Sequence, residues 1–145
     1  MGFFTTLNKK IKRNMLDLEI NSLLNTFTKV SLKIPLQKKQ NLFQNQKHYP
    51  IVFGYFLGAM LYIKEEKKFD NRHLEKILKS YLSSNFTNTD VSHAKELSKL
   101  IFDLSRTEEG KEYMQVGRQA YKKWLNEKSD VIADLNRLLI EVEGK

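Results

Sequence analysis

Three histidines are the side chains in this sequence best suited to do chemistry. His73 follows Asp70 by three positions and His93 precedes Glu96 by three, so each pair would share one face of a helix. Two facing helices bearing such pairs could hold a metal inside a bundle. A dinuclear carboxylate centre, however, needs further glutamates at core positions. Both histidines instead stand near helix starts, where Asp and His serve as capping or solvated groups. No metal and no cofactor is therefore assigned. His73-Leu74-Glu75 has the His-x-Glu spacing of zinc deaminases, but that chemistry also requires cysteine ligands. The chain has no cysteine, which removes disulfides, zinc-thiolate sites and thiol nucleophiles together.

The other catalytic patterns fail in similar ways. Glu109-Gly110-Lys111 lacks the upstream glycine of a phosphate loop, and neither GxGxxG nor GxSxG occurs. Glu65-Glu66 and Glu108, Glu109 and Glu112 lie among lysines in turns and first helical turns, where carboxylates are solvated charges. Met1-Gly2 with Thr6 fits the outline of an acylation signal, but the bulky Phe3 suits that reaction poorly. The expectation is a protein that is not an enzyme.

What must position these residues is a set of helices. Ile51 to Ile63, IVFGYFLGAMLYI, is an uncharged run of thirteen residues. A membrane span needs about 20 apolar residues, so this run is too short to cross a bilayer. A helix apolar on every side must be buried on every side. The pattern predicts an all-α, single-domain bundle of about five or six helices around a central apolar helix at about 50–64, spanning residues 1–145. Pro50 suits its first turn, and Gly54 and Gly58 share a face that lets a neighbouring helix approach closely.

Around that centre, Asp70 or Asn71 should cap a helix buried through Leu74, Ile77, Leu78, Tyr81 and Leu82. Ser83 to Asn88 reads as a loop. Thr89 or Asp90 caps the next helix, with Ala94, Leu97, Leu100, Ile101 and Leu104 inward. After a break at Ser105-Arg106-Thr107, Glu108 and Glu109 favour a new start, and Tyr113, Val116, Ala120, Tyr121, Trp124 and Leu125 form its stripe. Ser129-Asp130 either begins a last helix or kinks one long terminal helix, with Ile132, Leu135, Leu138, Leu139 and Val142 inward and Gly144 at its end.

The N-terminal third is different. From Phe3 to about Phe27 the pattern is helical but changes phase: Phe4, Leu7, Ile11, Met15 and Leu18 form one stripe, with Lys9, Lys10, Lys12 and Arg13 opposite. Leu16, Ile20, Leu23, Leu24 and Phe27 form a second stripe, displaced by roughly half a turn. Either the helix breaks near Asp17–Asn21 or one helix presents two apolar faces, and residues 1–18 can be read as a separate basic amphipathic arm. Over about 28–48 an irregular or extended segment is expected, because Val30, Leu32, Ile34 and Leu36 alternate with polar residues and Pro35. The competing reading continues the first helix through Val30 and Ile34 and stops it before Pro35. Gln37 to Asn41 follows as a basic loop.

Charge sets this third apart as well. The net charge is +8, and residues 1–48 carry nine Lys/Arg against only Asp17 and Glu19. The remaining 97 residues carry sixteen basic and fifteen acidic groups and are close to neutral. Such asymmetry bears on partners rather than fold. The candidate binding residues are therefore Phe3, Phe4, Leu7, Lys9, Lys10, Ile11, Lys12, Arg13, Lys38 and Lys39.

A protein partner or a second copy could accept the amphipathic helix in a groove. Alternatively the helix lies on an anionic membrane with Phe3 and Phe4 inserted, or the lysines follow a nucleic-acid backbone. Twenty lysines against five arginines, with no recognition-helix signature, weigh against nucleic acid. The simplest alternative is that the helix packs on its own core and shows lysines to water. The expectation is an adaptor, inhibitor or neutraliser of another protein, in the cytoplasm because no secretory signal pattern is present, or peripherally on a membrane.

Overall fold

The computed structural model describes the backbone over residues 2–38, 48–85 and 91–143. Six helices occur among them: α1 (Gly2–Lys38), α2 (Tyr49–Lys67), α3 (Asn71–Asn85), α4 (Val91–Leu104), α5 (Glu108–Glu127) and α6 (Asp134–Glu143). They pack as a helical bundle, and no strand is present among the described residues.

The apolar run is the centre, as its composition requires. Every residue from Ile51 to Met60 is buried, and so is Ile63. Pro50 lies in the first turn, where its missing N–H leaves nothing unsatisfied. The helix stops at Lys68, whose backbone turns left-handed (φ 56°) and donates its N–H to the Lys64 carbonyl. α2 packs most extensively against α5, and two glycines make that approach possible. A Cβ at Gly58 would run into the Met114 carbonyl, and one at Gly117 would run into the Tyr55 carbonyl. The backbones therefore touch in both directions.

α1 departs from the expected chain path. The extended segment predicted for 28–48 is helical over 28–38, and the helix does not stop before Pro35 but runs through it to Lys38. Residues 39–47 lie outside the described residues. Tertiary burial explains the difference: Phe27, Thr28, Ser31, Leu32 and Pro35 share one side of the helix and are all buried. The apparent alternation breaks down, since Leu32 is buried while Leu36 is exposed. Pro35 brings no N–H for the Ser31 carbonyl. One residue before Ser31, the Val30 carbonyl accepts the Ile132 N–H at 3.1 Å, fastening the segment between α5 and α6 to α1.

The phase change is also resolved. No break occurs near Asp17–Asn21, and α1 is one helix with two apolar faces in succession. Its second stripe enters the core, where Phe27 stacks on Tyr55 (5.6 Å, 8°) and meets Tyr121 edge-on at 5.1 Å. Phe56 and Trp124 close the cluster around the same ring. Two buried hydroxyl contacts fix α1 beside its neighbours. Tyr81 donates to Thr28 (2.8 Å), which itself donates to the Leu24 carbonyl (2.6 Å), and Ser31 shares a hydrogen bond with Tyr55 at 3.0 Å. Burial pushes the phenols of Tyr55 and Tyr81 far above the ordinary value of 10.0, so both stay neutral.

Among the described side chains the remaining helices keep their expected inner faces except at Leu100; Ala94 lies outside the described side chains. Leu100, expected inward, is 64% exposed on α4, while Ser98 and Ile101 are buried. Thr107 caps α5 by accepting the Gly110 N–H at 2.9 Å, and Glu108 and Glu109 occupy the first turn. α5 ends at Lys128 in a left-handed cap, so α5 and α6 are separate helices and α6 starts at Asp134, later than Ser129-Asp130. The expected caps at Thr89 or Asp90 and the end at Gly144 lie outside the described residues.

Candidate functional site

The α1 helix carries most of the candidate residues, and their positions follow from its two-faced sequence. Leu16, Leu23 and Val30 pack against the core, and Ile20, Leu24 and Phe27 belong to it. On a wheel of about 100° per residue, Leu7, Ile11, Met15 and Leu18 lie on the opposite side. Their exposures are 41%, 47%, 65% and 70%. Every described α1 side chain before Leu16 is exposed. The first stripe thus faces away from the bundle, and the domain's own core does not cover it.

The cationic residues divide. Lys10 and Lys12 are exposed to either side of the stripe and Lys9 is exposed opposite it, while Lys38 is exposed at the other end of α1, about 39 Å from Lys12 along the axis. Lys38 is therefore not part of one surface with the others. Phe3, Phe4 and Arg13 belong to α1, but their side chains lie outside the described residues, as does Lys39 altogether.

Where α1 passes the α2–α3 corner, a second feature forms. An open cleft of about 750 Å³ is lined by Lys12 and Leu16 of α1, Lys67 and Lys68 at the end of α2, and Phe69 and Asp70 of the turn. Arg72, His73 and Lys76 of α3 complete it. Among the described residues five cations thus face one lining carboxylate. That carboxylate is engaged, since Asp70 Oδ1 accepts the His73 backbone N–H at 2.8 Å and so caps α3 as expected. His73 Nε2 meets Asp17 Oδ1 at 2.7 Å, joining α3 to α1 at the edge of the cleft, and Phe69 lies edge-on to the imidazole at 5.0 Å. Lys67 approaches Glu19 at 3.5 Å. Asp17 and Glu19, the two acids of the basic third, are thus spent on holding α1 to this corner.

His73 consequently has a structural partner rather than a metal-ligand set. Among the described residues no group of three or more His, Asp or Glu side chains is placed to hold a metal ion. The His93 side chain lies outside the described residues, so the His93–Glu96 pair is not described. The Glu65 carboxylate forms a two-pronged pair with Arg118 (2.8 and 2.6 Å), and the guanidinium holds its pKa below the ordinary carboxylate value. It is a surface clamp between α2 and α5. Among the described residues no helix is long and apolar enough to cross a membrane.

Sequence reasoning did not assemble the cationic cleft. Lys68, Arg72 and Lys76 recur every four residues, a readable basic stripe. Its other wall, Lys12, is more than fifty residues away and joins only through the packing of α1 on α3. Comparison with protein-family models, with curated proteins and with solved structures returns no match.

Proposed function

We propose that this protein is a non-enzymatic helical interaction module that binds another protein through the outer face of the first half of α1. The observation that carries this reading is the uncovered stripe of Leu7, Ile11, Met15 and Leu18, directed away from the core on a helix whose opposite side is packed from Leu16 onward. Contiguous apolar surface left outside a core marks an interaction site. Leu7, Ile11, Asn14 and Leu18 are spaced four, three and four residues apart, the alternation that seats one helix along another. Lys10 and Lys12 border the stripe on either side, and charge complementarity favours an acidic amphipathic helix of the partner. A second copy would bring the same lysines against one another, which weighs against self-association.

One observation favours a second reading, peripheral attachment to an anionic membrane. Lys10 and Lys12 flank the centre of the stripe by roughly 100° on either side, where lysines reach lipid headgroups while the apolar face is inserted.

A photo-crosslinking amino acid placed at Ile11 or Leu18, with Gln119 on α5 as the off-stripe control, separates these readings in the native cell. The expected result is one discrete protein adduct from both stripe positions and none from Gln119. With that protein purified, Leu7→Ser/Leu18→Ser should weaken binding at least about tenfold, the loss of two buried apolar contacts. Adducts to the chain itself would replace the partner by a second copy. Co-sedimentation with anionic vesicles, abolished by the same double variant and without a protein adduct, would establish the membrane reading instead. Neither adduct nor vesicle binding rejects the stripe as a site.

A further inference from the structure

The cleft at the α1–α2–α3 corner lies on another side of α1 from the outward stripe, and its chemistry differs. We propose that it is a binding site for a small, multiply phosphorylated ligand, with Lys12, Lys67, Lys68, Arg72 and Lys76 neutralising the phosphates. The inference does not depend on the stripe's partner.

Three properties support it. First, the charges converge from three separate helices on one concavity of about 750 Å³, within the range of about 300–1,000 Å³ that small ligands occupy. Lysines spread over a convex surface repel one another into solvent, whereas here they line the same space. Second, the nearby acids are already committed: Asp70 caps α3, Asp17 holds His73, and Glu19 sits at 3.5 Å from Lys67. Among the described residues Lys12, Lys68, Arg72 and Lys76 form no ion pair with a carboxylate, so the cleft keeps a strong positive excess. Third, the lining chemistry selects the ligand. Four lysines are compact point charges suited to phosphate monoesters, and the single Arg72 can add a forked contact. Among the described lining residues only Leu16 and Phe69 are apolar, too few to anchor the side chains of an acidic peptide. The walls are also set in advance. The left-handed cap at Lys68 fixes the turn, and the His73–Asp17 contact fixes α3 to α1.

The test is calorimetric titration of the full chain, at about 0.15 M salt, with three probes of high negative charge: tripolyphosphate, inositol hexakisphosphate and a poly-glutamate peptide. Vesicles containing a phosphatidylinositol bisphosphate form a fourth arm. The expected result is saturable one-to-one binding of a phosphorylated probe. It should weaken at least tenfold in Arg72→Gln/Lys76→Gln but not in Lys111→Gln/Lys122→Gln, which removes the same charge from exposed positions on α5. Thermal melts of both variants check that the fold is kept. Binding to the vesicles alone, with the same dependence on Arg72 and Lys76, assigns the phosphates to a lipid headgroup; binding of the soluble probes assigns a free ligand. Equal weakening in the two double variants, equally tight binding of poly-glutamate, or no binding in any arm overturns the proposal.

Discussion

At the scale of single residues, α1 separates side chains that look alike in sequence. Leu18 and Leu24 are both leucines of one helix, yet one is 70% exposed and the other fully buried. Substitution should distinguish them sharply. Met15→Ser and Leu18→Ser should leave stability within about 0.5 kcal/mol, as surface changes do. Phe27→Ala should cost about 3–5 kcal/mol, because that ring is enclosed by Tyr55, Phe56, Tyr121 and Trp124. Urea midpoints of the three variants provide the measurement, and a large loss at Leu18 would mean that the stripe is core after all. The two stripes and their half-turn offset were legible in the sequence. Which stripe faces inward was not, because periodicity gives phase relative to the helix axis and says nothing about where the bundle lies. His73 shows the same limit: its spacing from Asp70 was visible, but its contact with Asp17 required α3 to be laid beside α1.

At the scale of elements, the apolar run at 51–63 announced its own burial and its glycines announced a close neighbour, but not which one. The neighbour is α5, and the contact is backbone to backbone through Gly58 and Gly117. Gly58→Ala or Gly117→Ala must therefore push two helices apart and should destabilise by about 1–3 kcal/mol or more, an overpacking cost. Gly54 is less constrained, since a methyl there meets the Tyr113 side chain rather than a carbonyl. Gly54→Ala should be the mildest of the three in a thermal-melt series, and an order with Gly54 worst would contradict the packing described. Over 28–38 the structure has a helix where an irregular or extended segment was expected, because Val30 to Leu36 mimics a strand when taken alone. Phe27, Thr28 and Ser31 already had partners on α2, α3 and α5, and those contacts carried the helix past Pro35.

At the scale of the whole molecule, three buried tyrosines give the fold a definite alkaline limit. Burial raises the phenols of Tyr55, Tyr81 and Tyr121 above the ordinary value of 10.0. A raised folded-state pKa means that the fold favours the neutral phenol. The contribution is complete below the unfolded value near 10 and is lost as pH climbs toward the folded values. The urea midpoint should therefore fall between pH 9 and 11, with Tyr81→Phe showing a shallower fall; a midpoint flat across that interval would contradict the burial of these rings. The same molecule has one more property of shape. From Phe3 to Ile34, α1 contains neither glycine nor proline, the residues at which helices bend sharply. Its outer end is therefore not a tail on a tether but the far end of a stiff spar clamped amidships. A partner bound there would be held at one bearing and one distance from the bundle, and the two would tumble as a single body.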